Sequence, residues 1–182
     1  MRALMAVYKE AEDLINQKFI KGPHGMKYLT LGSLKMIHTG ISTSKVKNYM
    51  RELDLQTALS RVTFEQDGHH YQRTAFASMP DSVIVIRLEA DTLSTVTLKH
   101  SAPYSTTYSK SADGCMATIQ GVDHEGITAK LKAALRYFVV SDGEVTYQSG
   151  GTVKVTDYTT ATIFISAATN YVNYKNVTGK HT

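Results

Sequence analysis

Glu52 and Asp54 lie two residues apart in the alternating stretch Tyr49-Met50-Arg51-Glu52-Leu53-Asp54-Leu55. On a strand, residues two apart share a face, so their carboxyls would stand about 7 Å apart, a spacing at which an acid and a base can flank a glycosidic bond. The simpler reading is an ion-pair or turn network with Arg51, because structural networks also perturb carboxylates. No catalytic residue is assigned on this pair. His69-His70 raises a metal site, but strand neighbours face opposite sides and cannot close on one ion. Asp123-His124-Glu125-Gly126 could supply a base and an orienter to a nucleophile such as Cys115. No G-x-S-x-G elbow accompanies them, and a solvated turn explains the cluster. Gly150-Gly151 lacks both a strand-to-helix setting and a following Lys-Ser/Thr, so it is not a phosphate loop. No metal and no cofactor are expected.

Eleven tyrosines and no tryptophan bear on sugar binding, because pyranose rings stack on aromatic faces. Tyr104, Tyr108, Tyr147, Tyr158, Tyr171 and Tyr174 fall in or near expected loops and strand ends. Tyrosine equally suits half-buried strand positions with its hydroxyl in water, which accounts for most of them. Asn176-Val177-Thr178 fits the glycosylation sequon, a short pattern that arises by chance.

The elements that would position these groups follow from composition and periodicity. The chain has 182 residues, 42% hydrophobic and 20% charged, enough for one sizeable core. Its 20 basic and 16 acidic side chains are scattered, and no window gathers Lys and Arg into a phosphate-binding patch, so nucleic acid is excluded as a partner. The single cysteine rules out an internal disulfide and is expected to be a small buried hydrophobe. Residues 1–19 contain no uninterrupted apolar run, so neither a signal peptide nor a membrane span is read there. Localisation stays undecided.

Leu4, Val7, Tyr8, Ala11, Leu14, Ile15 and Phe19 recur at three- and four-residue spacing, which predicts an amphipathic helix stopped by Gly22 and Pro23. Such a face is expected to lie against the rest of the domain. Beyond Gly25 the period is two. Strands are expected over 28–38, 57–66, 69–78, 82–89, 94–100, 116–120, 131–140, 152–155 and 160–167, the stretch from Tyr49 reads as a strand that runs into a turn, and 103–109 is a surface loop or an edge strand. Asp67-Gly68, Asp113-Gly114, Asp142-Gly143 and Gly150-Gly151 mark tight reversals, because such pairs reach positive φ cheaply. Ser82-Val83-Ile84-Val85-Ile86 lacks alternation and needs cover on both faces. The expectation is an all-β antiparallel sandwich with one N-terminal amphipathic helix: helix 1–22, sandwich 27–176, tail 177–182.

The stretch from Tyr49 to Ala58, followed by Tyr71-Gln72-Arg73-Thr74-Ala75-Phe76-Ala77-Ser78-Met79-Pro80-Asp81-Ser82-Val83-Ile84-Val85-Ile86-Arg87-Leu88, resembles the N-terminal β-sandwich domain of glycoside hydrolase family 95, the α-L-fucosidases. Members carry patterns like Y-R-R-E-L-D-L-x-T-A and V-x-Y-x-R-E-x-F-A-S-x-P-D-x-V-I-V-x-R-L. Tyr28-Leu29-Thr30-Leu31-Gly32-Ser33-Leu34 occupies the place of a family Y-Q-P-L-G-D-L, with Leu29, Thr30 and Ser33 departing from it. The resemblance implies a supersandwich-like fold and a parent enzyme that hydrolyses α-L-fucosides with inversion on a separate helical barrel. This chain would then be a fragment, inactive alone, whose partners are that helical catalytic domain and, through the parent, a fucosylated glycan. Its bared inter-domain surface would favour self-association, and a leader belonging to the parent would leave export open. The rival reading is a free-standing carbohydrate-binding or adhesive sandwich, for which fold class and tyrosine content are the only support.

Overall fold

A computed structural model describes residues 2–20, 25–173 and 175–177. Helix α1 (Arg2–Lys18) precedes ten strands: β1 (Ser33–His38), β2 (Lys47–Asp54), β3 (Leu59–Gln66), β4 (His69–Ser78), β5 (Val83–Ser101), β6 (Thr106–Ser111), β7 (Gly114–Gln120), β8 (Lys132–Ser141), β9 (Glu144–Gln148) and β10 (Thr152–Thr169). Every pairing is antiparallel, in the order β2-β3-β4-β5-β10-β8-β7-β6, with β1 added to β5 and β9 to β10.

The sandwich is one sheet folded over itself, and β5 and β10 make the fold. Residues 83–90 of β5 pair with β4, whereas its residues 96–101 pair with β1. Likewise 152–156 of β10 pair with β9 and 161–169 with β8. The two long strands pair with each other along both halves, with register shifts around Tyr158 and Asp157 at φ +55°. A bulge of this kind bends a strand without ending it, so both strands pass from one layer into the other. The breaks expected after Glu89 and Val155 are therefore bends inside continuous strands. Strand β6 lies on the edge, and β9, which was not expected, follows the Asp142-Gly143 turn.

Inward side chains of the two layers meet in one core. Val96, Leu98, Val153 and Val155 face Ala117, Leu135, Tyr137 and Ile163, all at most 6% exposed. The Tyr137 hydroxyl donates to the Gly151 carbonyl at 2.7 Å, which ties β8 to the turn before β10. Burial pushes its pKa far above the usual phenol value. Gly151, at φ +68°, leaves room for the Tyr108 ring, which any Cβ there would strike. Cys115 is buried in this core, as expected of a small hydrophobe, and burial raises its thiol pKa.

The N-terminal helix forms as its periodicity requires but does not lie against the sheet. Residues 6–20 are exposed throughout, among them Val7, Leu14 and Ile15. The core between the layers closes with strand residues alone, and the apolar face of the helix is left exposed. Gly22 and Pro23, the expected stop, lie outside the described residues, as do Tyr174 and Thr178 of the sequon. The helix is too short and too charged to cross a membrane, and no described helix qualifies.

Candidate functional site

The carboxylates singled out by sequence are held by neighbours that define turns and pairings. Glu52 and Asp54 do share a face of β2, but the partner of Glu52 is Arg61, directly opposite on β3, whose Nη1 donates to Oε1 at 2.6 Å. The expected partner Arg51 points to the other face, as strand alternation demands. Asp54 caps the β2–β3 turn, accepting the Thr57 hydroxyl at 2.7 Å and the Gln56 N–H at 2.9 Å. Those bonds, the Thr57 hydroxyl first, hold its pKa below the usual carboxylate value. Asp81 similarly accepts the Ser78 hydroxyl at 2.6 Å in the turn between β4 and β5.

The histidine pair divides as alternation requires. His69 Nδ1 lies 3.1 Å from Asp91 Oδ1, while the His70 backbone N–H donates to Asp91 Oδ2. Asp91 has a lowered pKa, caused first by that backbone bond. Asp123 accepts the Ala129 N–H at 2.8 Å, and His124 forms a bridge with Ile127, so the Asp-His-Glu-Gly cluster is a turn. Among the described residues, no three His, Cys, Asp or Glu side chains converge as a metal site would need.

Most of the tyrosines flagged for sugar stacking are engaged internally. The Tyr104 hydroxyl donates to the Tyr28 carbonyl, that of Tyr108 lies 3.1 Å from His100 Nδ1, and that of Tyr147 accepts the Val139 N–H at 3.1 Å. Tyr158 is 1% exposed, and Tyr171 stands at the surface.

A cleft that sequence did not reveal opens between the layers, where the inner face of β3, β4 and the first half of β5 extends past the second layer. It has a volume of about 430 Å³. Its floor is Val62, Phe64, Tyr71 and Leu88, with the Phe64 and Tyr71 rings stacked at 4.9 Å. One wall is the connection from β1 to β2, which contributes Ile41, Thr43 and Val46. Gln66, 6% exposed, fastens that wall: its Oε1 accepts the Ser42 N–H at 2.8 Å and its Nε2 donates to the Gly40 carbonyl at 2.9 Å. His38, Arg73 and Tyr158 bring polar atoms into this apolar setting. Burial, and then the Arg73 charge, lower the pKa of His38 and favour neutral imidazole. Burial, with the nearby Tyr71, pushes the Tyr158 phenol up to about 12, so it remains an O–H donor. The one sequence signal for Gln66 was its place: Val62, Phe64 and Gln66 share the inward face at period two, and the third is polar.

On the opposite face, register aligns Phe76, Val85, Phe164 and Phe138 across β4, β5, β10 and β8. The Phe138 and Phe164 rings stack at 4.8 Å, and Phe76 and Phe138 remain 40% and 36% exposed.

The family profile described as "Glycosyl hydrolase family 65, N-terminal domain" matches residues 2–174. The chain belongs to this family. As a family 65 N-terminal domain it is the kind of unit that sequence led us to expect, an N-terminal β domain of a glycoside hydrolase family, but the family number differs. Glu52, Asp54, Ser78 and Asp81, which lie in the motifs that carried the resemblance to family 95, set a strand pairing and two turns. Among solved structures, the family 65 domain resembles a chain described as "Putative kojibiose phosphorylase from human microbiome", with a TM-score of 0.55 and 14% identity. The match covers 85% of this chain and 24% of that one, so the domain spans about a quarter of the solved protein's length. No curated protein matches the chain.

Proposed function

We propose that this chain serves as the non-catalytic N-terminal domain of a glycoside-acting enzyme, packing against and supporting a helical catalytic domain. The observation that carries this reading is the family match over residues 2–174. The employment of Glu52, Asp54, Asp81 and Asp91 in turns and pairings supports it, because a glycosidase needs two carboxyls free to exchange protons with substrate and water. The exposed apolar row through Phe76 and Phe138 and the uncovered face of α1 supply surface for the partner domain.

For the parent's substrate we propose an α-L-fucoside, resting on the Tyr49–Ala58 and Tyr71–Leu88 motifs. The DNA flanking the coding region tests both levels. The proposal expects a helical-barrel catalytic domain to be encoded beside this unit, in frame or disrupted, and the expressed parent to release fucose from an aryl α-L-fucoside. Unrelated genes directly on both sides would overturn the domain assignment. A parent that instead phosphorolyses kojibiose would overturn the fucoside alone.

A further inference from the structure

We propose that the cleft between the layers binds a small organic carboxylate with an apolar body. This does not depend on the glycosidase reading. Two polar groups inside the cleft lack partners. Arg73 is half-buried, and its guanidinium makes no hydrogen bond or ion pair with the described residues, although it carries five donors and a permanent charge. Tyr158 is 1% exposed and lines the cleft, and its hydroxyl likewise has no hydrogen-bond partner among the described residues. Neither donor is sealed off from the cleft, so each is open to an acceptor supplied from outside.

The donors define the polar end of the ligand. A guanidinium fork matches a carboxylate with two parallel N–H···O bonds, and a phenol O–H adds a third. His38, facing Arg73 from β1, is held neutral, so its uncharged ring leaves the anion to Arg73. Glu89, the carboxylate that lines the cleft, already accepts Gln72 Nε2 at 2.9 Å and pairs with Arg87 at 3.0 Å, so it does not occupy Arg73.

The walls define the rest of the ligand. Val62, Phe64, Leu88, Ile41 and Val46 present hydrocarbon, and the Phe64–Tyr71 stack presents a flat aromatic surface. A sugar acid would bring a hydroxyl on nearly every carbon to a surface with few partners for it, at a desolvation cost. An aryl or alkyl chain matches the surface. A volume of about 430 Å³ lies at the small end of ligand cavities, which run from roughly 300 to 1,000 Å³.

Isothermal titration of the whole chain with 3-phenylpropionate, octanoate, their primary amides and D-glucuronate tests the proposal. Saturable binding of the two carboxylates is expected, with each amide at least about tenfold weaker because the charge-assisted bonds are lost. Arg73→Met should abolish the preference for acid over amide, and Tyr158→Phe should weaken the acids several-fold. The acid-to-amide comparison uses the unaltered chain, so it stands even if a variant fails to fold. Equal affinity for acid and amide overturns the proposal. So does tighter binding of glucuronate than of either apolar acid, or the absence of saturable binding by any probe up to about 10 mM.

Discussion

Gln66 reaches from the end of β3 to Gly40 and donates its Nε2 to that carbonyl at 2.9 Å, while its Oε1 takes the Ser42 N–H. One buried carboxamide thus anchors the connection between β1 and β2 over the open part of the sandwich.

Gln66→Leu keeps the bulk but strands the Gly40 carbonyl and the Ser42 N–H. Gly40 is exposed and Ser42 half-buried, so water can replace part of what is lost; with each bond worth a net of about 0.5–1.5 kcal/mol, the unfolding midpoint in urea should still fall. Hydrogen exchange at residues 39–46 should accelerate more than elsewhere. An unchanged midpoint together with unchanged exchange would show that the connection is held by other contacts.

His38 should make stability depend on pH. Its folded pKa lies below the ordinary 6.5, so the unfolded chain takes up this proton first as pH falls. Stability from this residue is therefore intact above about pH 6.5 and declines as pH drops toward the folded pKa. Asp54, Asp91 and Asp142 have depressed pKa values as well, and their contribution is lost lower, as pH falls below the ordinary 3.8 and through the folded values. Melting temperatures of the wild type and His38→Asn should converge as pH falls from 7 to 5. A constant difference across that range would remove His38 as the cause.

Glu52→Gln should cost little. Glu52 and Arg61 are 40% and 41% exposed in their side chains, and half-exposed pairs contribute at most about 1 kcal/mol. Chemical denaturation gives the number. A loss several times larger would mean that the pair is more deeply desolvated than its exposure indicates.

Tyr137→Phe removes the buried bond to the Gly151 carbonyl and leaves the ring in place. A loss of about 1 kcal/mol is expected, with the fold retained. Gly151→Ala should do greater damage, because its Cβ would collide with the Tyr108 ring at a backbone angle of +68°. Circular dichroism melts rank the two, and the reverse order would contradict this packing.

The apolar row through Phe76, Phe164 and Phe138 should promote self-association of the isolated chain. Sedimentation velocity over a concentration series should show larger species, reduced by Phe138→Ser. A strictly monomeric wild type at high concentration would count against this face as a domain interface.

Most strands were legible because alternation and Asx-Gly turns are local properties. Asp67-Gly68 takes positive φ at both residues, as the β3–β4 hairpin needs. The continuity of β5 and β10 was not legible. The polar run Glu89-Ala90-Asp91-Thr92 resembles a loop, and only the pairing with β10 across the bulge reveals a bend. The Glu52–Arg61 pair depends on cross-strand register, which a single sequence does not print, whereas Arg51 is adjacent only along the chain. The cleft was hidden for a similar reason: His38, Arg73 and Tyr158 come from three strands, and none carries a motif. Helix α1 was correct in its periodicity, but amphipathicity shows that a face needs cover without showing which surface supplies it.

The central claim is that this domain does no chemistry by itself. Its most direct test is turnover of an aryl α-L-fucoside, and of kojibiose with phosphate, by the pure chain at high enzyme concentration. The account predicts rates indistinguishable from buffer for both. Turnover that disappears in Glu52→Gln or Asp54→Asn would contradict it and would make those carboxylates catalytic.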